Sequence, residues 1–176
     1  MKKKKAPGEI PYTRQIKQLR QEKEFWQNLG IQDPEDAPHH VNHVDLRGTT
    51  INDDQLALMV GRVRSSEMLD LNDTEISNEG ISHLTRMEYL AELRLKECRQ
   101  IDNDCISFLN QIPGLRLLYL KSTPVNIDGL LNLTSVPKLE ELFFSDPDEL
   151  ITEEKMVKLA ALLPNTTLII DGKTFR

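Results

Sequence analysis

Two cysteines, Cys98 and Cys105, are the whole thiol content of this 176-residue chain. So few thiols exclude a disulfide-built framework, and they are too few for a structural zinc site, which takes four ligands at characteristic spacing. No run approaches the roughly 18 apolar residues that a membrane span requires. The start, MKKKKAPGEIPY, is positive but has no apolar stretch behind it, which argues against a secretory signal. It also lacks the Arg- and Ser-rich amphipathic character of a mitochondrial presequence, so a reducing, cytoplasmic setting is expected. Gly-rich phosphate loops, HExxH and GxSxG are absent as well. No enzyme chemistry, no catalytic residue and no cofactor is therefore expected.

What is present begins with an uneven charge. The net charge is −6, yet residues 1–23 hold eight of the 22 basic residues and only two of the 28 acidic ones, a local balance of +6. The remainder carries −12. A basic arm, residues 1–12 with Lys2, Lys3, Lys4 and Lys5, is thus attached to an acidic body. Such an arm can touch nucleic acid or another anionic surface.

The body repeats itself. HVDLRGTTI at 43–51, MLDLNDTEI at 68–76, ELRLKECRQI at 92–101, LLYLKSTPV at 117–125 and ELFFSDPDELI at 141–151 align, and TLIIDGK at 167–173 closes the series. Their lead residues Val44, Leu69, Leu93, Leu118, Leu142 and Leu168 recur every 24 to 26 positions. Period 2 places each lead residue and the one two places on upon a single buried strand face. Next comes an aliphatic residue (Ile51, Ile76, Ile101, Val125, Ile151), then apolar residues five and eight positions later, a helical stripe. Directly after that aliphatic residue stand Asn52, Ser77, Asp102, Asn126 and Thr152, side chains that cap helices, and two places on an acid follows each time. Each unit reads as strand, tight turn and short helix. Units of this size cannot bury their apolar faces alone and must stack.

LDLNDTEISNEGISHL and LYLKSTPVNIDGLLNL, with the pattern LxxLxL and a helix behind it, resemble leucine-rich repeats of the cysteine-containing or ribonuclease-inhibitor-like subclass. The resemblance covers residues 42–171. It implies an α/β fold: a right-handed solenoid of about five to six strand–turn–helix repeats, with a parallel concave sheet and outer helices. Within it, LRLKECRQIDNDCISFL and ALLPNTTLII resemble the small repeat subunit family associated with mitochondrial ATP synthase, subunit s or coupling factor B. Residues 13–41 read as an N-terminal capping helix with connector, and 42–176 as the repeat domain. The helix is expected over 13–29 with Thr13 as cap, Gly30 as stop and Ile16, Leu19, Trp26 and Leu29 on one face beside Phe25. At the far end, strand 168–170 is expected to be an edge, with Asp171-Gly172-Lys173 turning the chain there and a charged end limiting pairing with another molecule.

Every residue that looks chemical in LRLKECRQIDNDCISFL has a structural counterpart in another unit. Cys98 takes the turn position of Thr49, Thr74, Thr123 and Pro147, and the resemblance to leucine-rich repeats implies a side chain there that satisfies backbone groups between coils. Cys105 stands where Gln55, Gly80, Gly129 and Lys155 stand. His39, His40 and His43, near Asp45, are conceivable metal ligands, but polar contacts of a capping segment account for them and no metal site is assigned. Candidate function lies on the concave face, where Leu117, Tyr119 and Phe143 are neighbouring apolar residues flanked by Arg94, Lys96 and Lys121. Aromatic anchors beside basic residues resemble an interface hot spot. The expected function is a non-enzymatic scaffold or adaptor that binds a protein partner through this face. The alternative is an accessory or assembly subunit of a larger complex, tethered by its basic arm.

Overall fold

The computed structural model describes residues 12–175, with side chains from Leu19 onward. The chain divides between Ala37 and Pro38 into two units. In the first, α1 (Tyr12–Asn28) is followed by a 3-10 turn (Pro34–Asp36), whose leading N–H group, from Glu35, donates to the Asp33 carboxylate at 2.9 Å. Because α1 already begins at Tyr12, Thr13 lies inside the helix rather than at its cap. The buried stripe also differs from expectation. Phe25 and Trp26 are buried and meet edge to face at 5.2 Å, while Leu19 and Leu29 stay 64% and 39% exposed. Ile16, expected on the same face, lies outside the residues whose side chains are described; among those that are, the two adjacent aromatics carry the burial of this helix. Gly30, at φ 81°, ends the helix in the left-handed conformation that glycine adopts without penalty.

The second unit alternates strands and helices. It runs β1 (His40–Asp45), α2 (Asp53–Arg62), β2 (Ser65–Asp70), α3 (Asn78–Leu84) and β3 (Tyr89–Arg94). A 3-10 turn (Asn103–Cys105) leads into α4 (Ile106–Leu109), then β4 (Leu117–Tyr119), α5 (Ile127–Leu130), β5 (Glu141–Phe144), α6 (Glu153–Leu162), β6 (Thr167–Ile170) and β7 (Lys173–Phe175). The seven strands form one sheet in chain order, parallel from β1 to β6 and antiparallel at β7. The fold is α/β. The repeat spacing becomes register: Val44 pairs with Leu69, Leu69 with Leu93, Leu93 with Leu118, Leu118 with Leu142 and Leu142 with Leu168. From Leu69 onward all these lead residues are buried, as are the helical rows Leu56, Ile81, Ile106, Leu130, Met156 and Met59, Leu84, Leu109, Leu133, Leu159.

Two further core rows escaped the sequence reading. Val63, Met87, Ile112, Val136 and Leu163 are buried in the return from helix to strand, and Leu90, Leu115 and Leu139 follow them. The latter are the first leucines of LxxLxL, three residues before each lead residue. Ser66 takes that place in the second unit and is fully buried, its hydroxyl satisfied by the Met68 carbonyl at 2.9 Å.

All five helix caps are in place. Asn52, Ser77, Asp102, Asn126 and Thr152 each accept a backbone N–H from the first turn that follows. The caps are also tied to one another. The residue after a cap reaches the cap of the next unit: Asp53 accepts the Ser77 N–H at 2.9 Å, Asn78 the Asp102 N–H at 3.2 Å, and Asn103 the Asn126 N–H at 3.0 Å. The side chains of each pair are bonded as well. A Cβ on Gly80 would overlap the Asp53 carboxylate, and one on Gly129 the Asn103 amide. The two glycines thus leave room for the ladder that joins neighbouring units. Of the units with a side chain at this position, Gln55, Cys105 and Lys155, the one with Cys105 opens its helix with a 3-10 turn.

The end of the sheet departs from expectation. β6 is not an edge: Asp171 (φ 47°) and Gly172 (φ 83°) form a two-residue turn, and Lys173–Phe175 folds back along β6. Positive φ at both central residues belongs to the tight hairpin turn that Asp-Gly favours.

Candidate functional site

The sheet face away from the core carries the alternate strand residues, and the register lines them up in rows across the strands. Glu92, Leu117 and Glu141 form one row over β3–β5, and Arg94, Tyr119 and Phe143 a second. Lys96 and Lys121 stand two residues on, side by side, since the Glu97 N–H bonds the Lys121 carbonyl at 3.0 Å. The structure therefore brings all six sequence-selected residues into one patch. Tyr119 and Phe143 pack at 4.8 Å between ring centroids, tilted by 58°. Leu117, Tyr119, Phe143 and Lys121 are half-buried, because side chains on neighbouring strands lean on one another.

The basic residues differ in what holds them. Arg94 donates to Glu92 at 3.1 Å, and its buried Nε–H has no hydrogen-bond partner among the described residues. Lys96 pairs with Glu97 at 2.8 Å, which holds the Glu97 carboxyl below the usual range. Among the described residues Lys121 has no ion-pair partner, and neither has Glu141. Asp70, an alternate residue of β2 on the same face, is not solvated. It is instead buried, accepting the Asn72 N–H at 3.0 Å with the Arg47 guanidinium 3.6 Å away. The Arg47 side chain lies along the row with two bonds to Asp45, at 2.9 and 2.7 Å, and these hold the Asp45 carboxyl below its ordinary pKa.

The histidine segment has its own contacts. His40 Nε2 lies 3.0 Å from the Asn42 side-chain oxygen and Nδ1 lies 2.8 Å from the Ser65 hydroxyl, so both ring nitrogens are engaged. Among the described residues no three His, Cys, Asp or Glu side chains come together to hold a metal ion. The basic arm, Lys2 to Lys5, lies outside the described residues.

No family model matches the chain. Mitochondrial ATP synthase subunit s from Bos taurus is 26% identical over 113 residues, covering 61% of this chain and 56% of that protein. The Homo sapiens protein of the same name is 25% identical over 113 residues, with the same coverage. In Mus musculus the likeness is 29% over 85 residues, 46% of this chain and 42% of the relative. The chain spans about half the length of the curated relatives it matches. The resemblance to subunit s is thus supported, whereas the leucine-rich-repeat assignment gains no support from family models. The relatives are mitochondrial by name, which overturns the cytoplasmic placement read from the N-terminus. Among the described residues no helix is long and apolar enough to cross a membrane.

The two thiols have no outlet to solvent. Cys98 is fully buried and its Sγ–H donates to the Leu71 carbonyl of the preceding unit at 3.1 Å. Thr49, Thr74 and Thr123 at the equivalent position donate within their own unit, to the carbonyl three residues back, and Thr74 Oγ1 also lies 3.6 Å from Cys98 Sγ, so the contact between coils at this position is made by the Thr74–Cys98 pair. Burial pushes both thiols up, and for Cys105, with Asp102 and Asp104 nearby, to about 12. Iodoacetamide at pH 8 should label neither cysteine in the folded protein and both after unfolding in urea. Rapid labelling of folded Cys105 would contradict this. Since the fold favours the protonated thiol, that contribution is complete below the ordinary value of 9.0 and is lost as pH rises to about 12. Stability should fall across that alkaline window, and less steeply in Cys105→Ala.

Proposed function

We propose that this chain is a non-enzymatic accessory subunit of a mitochondrial protein assembly of the ATP synthase kind. In this reading it is a leucine-rich-repeat-type solenoid that presents the open face of its sheet to a protein partner. The likeness to subunit s carries the proposal, because it favours membership of an assembly over a free-standing adaptor. The Tyr119–Phe143 pair supplies the contact surface: rigid aromatic area, half-buried, beside Leu117 and ringed by charged residues.

The test is capture from native mitochondria by the tagged full chain, with mass spectrometry directed at ATP synthase subunits. Those subunits should co-purify with the unaltered chain. Tyr119→Ala/Phe143→Ala should weaken capture roughly 30-fold or more, as loss of a hot spot does, while circular dichroism shows the fold retained. Deletion of residues 1–12 should leave capture intact, because the face and not the basic arm makes the contact. Undiminished capture by the double variant would remove the face from the proposal. The absence of ATP synthase subunits would remove the assembly.

A further inference from the structure

The charges on the open face are ordered as well as the aromatics. Lys96 and Lys121 stand two residues beyond the carboxyl ends of β3 and β4, while Glu92, inside β3, and Glu141, the first residue of β5, share the row on the other side of Tyr119 and Phe143. Lys96 and Glu92 are already paired, with Glu97 and Arg94 respectively. The two charges without an ion-pair partner among the described residues, Lys121 and Glu141, therefore lie on opposite sides of the aromatic pair. Successive same-face residues on a strand are about 6.7 Å apart, so the charged rows are about 13 Å from each other. A helix with its side chains is about 10–12 Å across. Over β3–β6, three strand spacings span about 14 Å, the length of nine or ten helical residues.

Resting on the reading that this face binds a protein, we infer that its occupant is an amphipathic α-helix lying across β3–β6. Its apolar stripe sits on Tyr119 and Phe143, an acidic flank meets Lys121 and Lys96, and a basic flank meets Glu141. Opposite charges on the two sides also determine which way the helix runs, since reversing it would set like charges against each other.

The probes are fluorescent 18-residue helical peptides that share one Leu/Phe stripe and differ in their flanks. One has Glu on one side and Lys on the other, one has Glu on both sides, and one has Lys on both. Anisotropy titrations with the full chain at low salt should give about fivefold tighter binding for the mixed peptide, the scale of a few surface charge pairs. In Lys96→Glu/Lys121→Glu both sides are acidic, so the all-Lys peptide should become the tightest. A mixed peptide broken by two prolines should bind markedly less. Equal binding of the three flanks, no binding of any, an unchanged order in the variant, or full binding of the proline-broken peptide would each overturn the inference. None of these results touches the capture experiment. The reading that the face binds a protein falls only if Tyr119→Ala/Phe143→Ala captures its partner undiminished.

Discussion

Gly129→Ala is expected to destabilise the protein by about 2–4 kcal/mol, although alanine is the better helix former by about 0.5–1 kcal/mol. For a chain of this size that is a fall in Tm of roughly 5–15 °C. The sign follows from the position of the Asn103 amide, which occupies the space a Cβ on Gly129 would need. That amide accepts the Asn126 N–H at 3.0 Å and donates to the Asn126 side-chain oxygen at 2.9 Å, and Asn126 in turn caps α5. An added methyl group displaces the amide, so both bonds to the next unit are lost together. Asn103→Ala alone should cost about 1–2 kcal/mol. Combined with Gly129→Ala it should cost clearly less than the sum of the two, because it removes the group that clashes. Thermal melts of the four proteins measure this cycle. A Gly129→Ala protein at least as stable as the unaltered one would show that the ladder yields freely.

The second large effect is in the stack of lead residues. Leu118 is fully buried and pairs with Leu93 on one side and Leu142 on the other. Leu118→Ala should cost about 3–5 kcal/mol, the range for a core leucine whose surroundings cannot collapse into the cavity. Val44 is the same residue of the repeat in the first strand, but it is half-buried and has a pairing neighbour only in β2. Val44→Ala should cost about 1 kcal/mol. In a quasi-one-dimensional array each unit is held by its neighbours, so position along the array decides the loss as much as the side chain does. Urea unfolding of the two variants compares them directly, and equal losses would refute that dependence.

The repeat could be read from sequence because identical positions do identical work five times over. Leu69, Leu93 and Leu118 declare a shared strand face, and Ser77, Asp102 and Asn126 declare helix starts. What could not be read lies between units rather than within one. Asp53, Asn78 and Asn103 look like ordinary first-turn polar residues, and their common role, reaching the next cap, is visible only once strands are in register. Asp70 looked like one more solvated strand residue, yet its burial depends on a carboxylate shielded beside Arg47 and the Asn72 backbone. The Asp171-Gly172 turn is legible in the Asp-Gly pair itself, but the strand that follows it, only three residues long, is not. For the candidate patch, the six residues were legible as a group. The asymmetry of their ion pairs was not, since pairing depends on rotamers that spacing does not specify.

The reversal at β7 also bears on self-association. A parallel array has no internal reason to stop: each strand offers the next an edge of the same polarity, and a second molecule could supply the following strand as readily as the chain itself. Folding Lys173–Phe175 back against β6 occupies that edge with a strand of the wrong direction. It exposes instead a three-residue border that starts with a lysine. The hairpin thus covers the edge along which a parallel array would grow, a chain-length control built into five residues, Asp171 to Phe175.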